Sequence, residues 1–189
     1  MKKLLLLIDF VIAAPAYAGF EGAITLASDY RLYGFSQTLE DPAIMIDLSY
    51  SHGSGFFVGA FAANVDFVED SDPGDLDADI EYDLFAGYEW AVNEENSLAL
   101  TVVTYKYPGT NVDLDYVEYV LDYMSPIGDF TIGYSNDAFA LDETGIRYEY
   151  AYGFDVNENM SVGILIGRYD LDDALNESYT YYCLLYTSP

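Results

Sequence analysis

Ala78-Asp79-Ile80-Glu81-Tyr82-Asp83-Leu84-Phe85-Ala86-Gly87-Tyr88-Glu89-Trp90-Ala91-Val92 alternates residue by residue between two chemistries. Ile80, Tyr82, Leu84, Ala86, Tyr88, Trp90 and Val92 fall on one face, and Asp79, Glu81, Asp83 and Glu89 on the other. A period of two is the signature of a β-strand, whose successive side chains point to opposite sides of a sheet. A soluble sandwich does not turn a row of carboxylates into its core. A barrel in a bilayer shows its apolar face to lipid and its polar face to the interior. This stretch therefore predicts an inside-out, all-β fold.

Working outward, the same period recurs in ten stretches. Before it come Phe20 to Tyr33 (outward Ile24, Leu26, Tyr30, Leu32), Ala43 to Ser51 (Ile44, Ile46, Leu48, Tyr50) and Gly55 to Phe67 (Phe57, Phe61, Val65, Phe67). After it come Ser97 to Tyr107, whose outward face is ambiguous, Leu114 to Met124 (Val117, Tyr119, Leu121, Tyr123) and Asp129 to Ser135 (Phe130, Ile132, Tyr134). Thr144 to Val156 (Ile146, Tyr148, Tyr150, Tyr152, Phe154), Met160 to Tyr169 (Val162, Ile164, Ile166) and a broken start near Ser178 (Tyr179, Tyr181) complete the set. Short links such as His52-Gly53-Ser54 and Asn157-Glu158-Asn159 alternate with longer ones such as Gly34 to Pro42 and Val68 to Asp77. Outer-membrane barrels put short turns on the periplasmic side and long loops outside. The expected fold is a transmembrane, antiparallel, up-and-down β-barrel with about ten strands present, cut short from about twelve.

Met1, Lys2 and Lys3, an apolar run from Leu4 to Ala14 and Ala16-Tyr17-Ala18 read as a secretory signal peptide cleaved after Ala18. The expected organisation is a signal peptide over 1–18, a barrel domain over 19–182 and a non-native tail over 183–189, all leading to the bacterial outer membrane. The tail holds Cys183, the one cysteine of the sequence, so an internal disulfide is not expected. The sequence carries 6 basic and 33 acidic residues; without Lys2, Lys3 and Asp9 the balance is 4 to 32, about −28. Nucleic acid is excluded as a partner, because binding phosphate takes a supply of Lys and Arg. Tyrosine occurs 20 times and phenylalanine 11 times against one tryptophan, which suits rings placed at two membrane interfaces.

Ser28-Asp29-Tyr30-Arg31-Leu32-Tyr33-Gly34-Phe35-Ser36-Gln37-Thr38, Glu40-Asp41-Pro42-Ala43, Tyr50-Ser51-His52, Gly55-Phe56 and Asn64-Val65-Asp66-Phe67 resemble the opening half of the TorF-type porins of proteobacterial outer membranes. Ala78-Asp79-Ile80-Glu81-Tyr82-Asp83 with Gly87-Tyr88, Tyr107-Pro108-Gly109 and Tyr116-Val117-Glu118-Tyr119 continue the resemblance, which runs from about Gly22 to about Tyr150. It implies a β-barrel with a presumed pore.

By the alternation, Asp29, Arg31, Asp47, Asp66, Asp79, Glu81, Asp83, Glu89, Glu118, Asp122, Arg147 and Glu149 line the lumen. Two arginines cannot neutralise that many acids, so the interior is expected to hold water, cations or protonated carboxyls. A hydrated acidic bore attracts cations and repels anions. The expectation is a passive, cation-preferring pore for small cationic or neutral solutes in contact with outer-membrane lipids, with no cofactor and with the oligomeric state open. The alternative from the same fold is a non-conducting structural or interaction barrel. Asp70, Asp72, Asp75 and Asp77 flank Pro73-Gly74 and leave two readings, a solvated acidic loop or a weak calcium or magnesium site, at a spacing that is not that of an EF-hand. An outer-membrane lipid hydrolase is the third reading. It would need His52, the single histidine, to work with Ser51 or Ser54, and those residues read first as turn chemistry, so no enzyme is expected.

Overall fold

The computed structural model describes residues 19–67, 78–157, 160–171 and 178–187. One ten-stranded sheet dominates: β1 (Gly19–Ala27), β4 (Ala43–Ser51), β5 (Phe56–Asn64), β6 (Ile80–Ala91), β7 (Ser97–Lys106), β8 (Tyr116–Met124), β9 (Asp129–Ser135), β10 (Gly145–Asn157), β11 (Met160–Leu171) and β12 (Ser178–Thr187). Each strand pairs antiparallel with the next, so the connectivity is a simple meander. A minimal hairpin, β2 (Arg31–Leu32) with β3 (Phe35–Ser36), lies between β1 and β4. The only helical turn among the described residues is a 3-10 turn at Ala138–Ala140. β1 and β12 are the two edges of the sheet, and no backbone pairing joins them. The predicted all-β meander is present, and it is not sealed by hydrogen bonds into a cylinder. The proposed signal peptide lies outside the described residues. β12 continues through 183–187, the segment assigned to a tail, in register with β11 from Asp170↔Ser178 to Ser161↔Thr187.

The alternation decides the two faces as expected on most strands. Ile44, Ile46 and Leu48 on β4, Ile80, Leu84, Tyr88 and Trp90 on β6, Tyr119 and Leu121 on β8, Ile132 and Tyr134 on β9, and Ile164 and Ile166 on β11 are exposed. β7, ambiguous in sequence, shows Leu100 and Val102 outward and keeps Ala99, Thr101, Val103 and Tyr105 inside.

Three expectations are corrected. The first strand ends at Ala27 and not at Tyr33, because the chain folds back on itself there. Asp29 accepts hydrogen bonds from the Ser36 and Thr38 hydroxyls at 2.6 and 3.2 Å, the Gln37 N–H donates to the Tyr30 carbonyl at 2.7 Å, and Tyr33 takes a left-handed backbone at φ 49°. Tyr30 and Leu32, expected outside, are thereby swung into the interior and buried. On β5 the faces are reversed: Phe57 and Phe61, with Val65 just beyond the strand, point in, while Phe56 and Val58 point out. A one-residue slip exchanges the faces of a strand, and here the interior takes the aromatic row because Gly59 on that row leaves the space that the Phe85 ring occupies. A Cβ at Gly59 would lie 2.2 Å from that ring and 2.6 Å from the Leu48 carbonyl oxygen. On β12 Tyr179 and Tyr181, expected outside, pack toward the core, whereas Tyr182 and Leu184 face out. All three corrections move rings inside, so the interior is filled with side chains.

Gly59→Val should therefore overpack the interior at a site bounded by backbone. The expected loss is about 1–3 kcal/mol of stability, read as a lower urea midpoint than that of the wild-type chain.

Candidate functional site

Residues of the inner face meet at Arg147. On β10 its guanidinium points inward, where Gly133 on β9 leaves the gap: a Cβ there would lie 2.5 Å from Glu118 Oε1 and 3.1 Å from Arg147 Nε. Arg147 Nη2 lies 3.1 Å from Glu118 Oε2 and Nε lies 3.3 Å from Oε1, so Glu118 on β8 is grasped by the guanidinium fork. Nη1 pairs with Glu149, two residues along the same face. These three side chains are buried. A planar fork with five donors suits two carboxylates better than an ammonium would.

One positive charge against two negative ones leaves the cluster short of donors, and tyrosine hydroxyls supply them. Tyr33 donates to Glu118 Oε2 at 2.8 Å, shares a 2.7 Å hydrogen bond with the Tyr105 hydroxyl, and lays its ring 4.4 Å from the guanidinium carbon. Tyr181 of β12 donates to Glu149. Asp122 is served by the Thr131 hydroxyl at 2.6 Å. Further along the interior, Glu81 and Asp83 stand two residues apart on the inner face of β6, both fully buried. The Tyr30 hydroxyl donates to Glu81 Oε1 at 3.1 Å, whereas Glu81 Oε2 and both Asp83 oxygens have no hydrogen-bond partner among the described residues. The hairpin thus plants Tyr30 on one acidic centre and Tyr33 on the other. It also reaches the last strand, with the Phe35 ring 4.8 Å from that of Tyr179 and the Gly34 backbone against Tyr181.

Of the residues expected to line the lumen, Glu81, Asp83, Glu118, Asp122, Arg147 and Glu149 are buried inside. Asp47 and Glu89 are half-buried on strands, and Asp66 is half-buried where it bridges Thr38. Asp79 is exposed at the end of β6, clear of the interior. Arg31 is expected on the lumen wall. It is instead half-exposed on the hairpin and pairs locally with Asp29 at 2.6 Å and Glu40 at 3.4 Å, because the turn after Ala27 carries it away from the sheet. Asp70, Asp72, Asp75 and Asp77 lie outside the described residues. At the β7–β8 link, Asp115 binds Lys106 at 2.7 Å and the Tyr107 N–H at 3.0 Å; partial burial raises its carboxyl, and these two donors outweigh it and hold the group below its ordinary range. His52 Nδ1 sits 2.8 Å from Ser54 Oγ in an exposed turn, an arrangement that caps the turn backbone. Sequence reasoning missed Tyr30, Tyr33, Tyr105 and Tyr181. The signal that would have found them is the excess of inward acids over arginines in a chain with 20 tyrosines, since each buried carboxylate oxygen needs a donor.

Residues 13–184 match the family Gcw_chp, described as a bacterial protein of unknown function, and the chain belongs to that family. No curated protein and no solved structure matches it.

Removing the guanidinium alone strands Glu118 and Glu149. Arg147→Met should cost about 3–5 kcal/mol, and the triple variant Glu118→Gln, Arg147→Met, Glu149→Gln should recover part of that loss. Unfolding midpoints of the two variants beside wild type measure the difference.

Proposed function

We propose that the chain is an outer-membrane β-barrel whose acidic interior forms a passive, cation-preferring pore for small solutes, closed in this conformation by the Tyr30–Tyr33 hairpin. The observation that carries this reading is the division of faces across the whole sheet, apolar outward and acidic inward. Ile24 is 74% exposed, Leu48 60%, Leu84 54% and Ile166 51%, on strands spread from one edge of the sheet to the other. So much contiguous apolar surface in water would drive association. In hydrocarbon it is the surface required.

Aromatic rings support the same reading. Toward the short-link ends, Phe20 packs on Tyr50 at 4.7 Å between centroids, Tyr88 on Trp90 at 6.3 Å, Tyr123 on Phe130 at 6.4 Å, Phe130 on Tyr150 at 4.9 Å and Tyr152 on Phe154 at 6.2 Å. A girdle of this kind sits at the boundary between hydrocarbon and headgroups. The resemblance of Ser28 to Thr38 to TorF-type porins points the same way, and it falls on the hairpin itself.

Cation preference follows from the interior charge: Glu81, Asp83, Glu118, Asp122 and Glu149 against Arg147. A path that opens along those groups offers cations a favourable field and anions a barrier. A non-conducting barrel is the second reading, favoured by the burial of Tyr30, Leu32 and Tyr33 in the space that a solute would cross.

Leu84→Arg, a charge placed on the lipid side, should weaken insertion into vesicles by about 2–4 kcal/mol; unchanged insertion would remove the membrane reading. In planar bilayers under a potassium chloride gradient, wild type should show small, cation-selective conductance. Tyr30→Ala with Tyr33→Ala should raise it severalfold while keeping the sign of the reversal potential. Anion preference, or silence from both proteins, refutes the pore.

A further inference from the structure

Four buried oxygen atoms of the inner face have no partner in hydrogen-bonding geometry among the described residues: Glu81 Oε2, Asp83 Oδ1, Asp83 Oδ2 and the Tyr116 hydroxyl, with Asp83 and Tyr107 both within electrostatic reach of Glu81. They belong to one patch. Asp83 is the register partner of Tyr105, Tyr105 is the register partner of Tyr116, and the two rings stack at 4.3 Å and 10°. Tyr116 also lies within electrostatic range of Glu81, and Tyr30 caps the far carboxylate oxygen. A buried, ionised carboxylate without a counter-charge is strongly disfavoured, and the guanidinium of Arg147 is committed to Glu118 and Glu149. Unsatisfied buried groups of this sort point to a bound ion or water.

We infer that Glu81, Asp83 and Tyr116 form an internal binding site for a hard divalent cation of the calcium class. Two carboxylates carry a charge of −2, which one divalent ion balances and one monovalent ion does not. All the free donors are oxygen, the ligand type that calcium takes at 2.3–2.6 Å in flexible sets of about six to eight. No third carboxylate joins the set among the described residues, so tyrosine oxygens and solvent complete the shell. Asp47 lies in the same cross-strand row through Phe61 and adds negative potential on the approach. The site stands on the interior geometry and does not depend on conduction.

Terbium(III) replaces calcium and emits when a neighbouring tyrosine is excited, and this site is walled by Tyr30, Tyr105 and Tyr116. The full chain, stripped with chelator while unfolded and refolded in detergent micelles, should give tyrosine-sensitised emission that calcium displaces. Glu81→Gln with Asp83→Asn should abolish it. Replacing the acidic run instead, with Asp70, Asp72, Asp75 and Asp77 all changed to Asn, should leave it intact. If the interior double variant does not fold, Asp83→Asn alone serves, with a reduced signal expected. Emission that persists in the interior variants, that vanishes with the acidic run, or that never appears in wild type overturns the site and leaves the pair to protons or water.

Discussion

A single buried guanidinium organises this interior. Arg147 holds Glu118 across the sheet and Glu149 along its own strand, and it lies against the ring of Tyr33. The sheet packs around it with apolar side chains on its outer face and Glu81, Asp83, Glu118, Asp122 and Glu149 on its inner one. Once inside, they must be paired or given donors. That requirement explains the charged part of the interior, carboxylates, one arginine and phenol hydroxyls, which sits among apolar side chains such as Met45, Phe61, Val103 and Leu165.

Phenols are suited to this role because they donate a hydrogen bond without bringing a charge, and their rings fill volume at the same time. Tyr33 and Tyr181 each serve one of the two carboxylates around Arg147, and they arrive from opposite ends of the chain. The hairpin between β1 and β4 therefore touches β12 as well as the centre. Where backbone pairing is missing between the first and last strands, side-chain packing through Gly34, Phe35, Tyr179 and Tyr181 spans the seam. The parts of the molecule farthest apart in sequence are joined by the same device that satisfies its buried acids.

This division of labour sets what the sequence discloses. The alternation on β6 is strict because its apolar row, with Ile80, Leu84 and Tyr88, stays on the outer face while Glu81 and Asp83 enter the interior, and it reads directly as strand, register and face. β5 does not read this way: Phe57, Phe61 and Phe56 are equally apolar, and the row that goes inside is decided by Gly59 and Phe85, a neighbour on another strand. Tyr30 and Leu32 continue the apolar alternation of β1, so the period alone extends that strand too far. The turn is made by hydrogen bonds from Ser36 and Thr38 to Asp29, a local chemistry that a hydrophobic pattern does not register.

The candidate site was legible in its acids and not in its donors. Glu81, Asp83, Glu118, Asp122 and Glu149 fall on the inner face by parity alone. Their partners come from 51 residues away for Tyr30 with Glu81, 85 for Tyr33 with Glu118 and 32 for Tyr181 with Glu149, distances over which periodicity carries no information. Charge balance is the one global constraint that reaches that far. An interior with more carboxylates than guanidiniums requires neutral donors or cations, and the structure supplies hydroxyls around Glu118 and Glu149 while leaving three oxygens of Glu81 and Asp83 without one. The two centres thus differ in kind: the first is completed by the protein, and the second is built to be completed by something else.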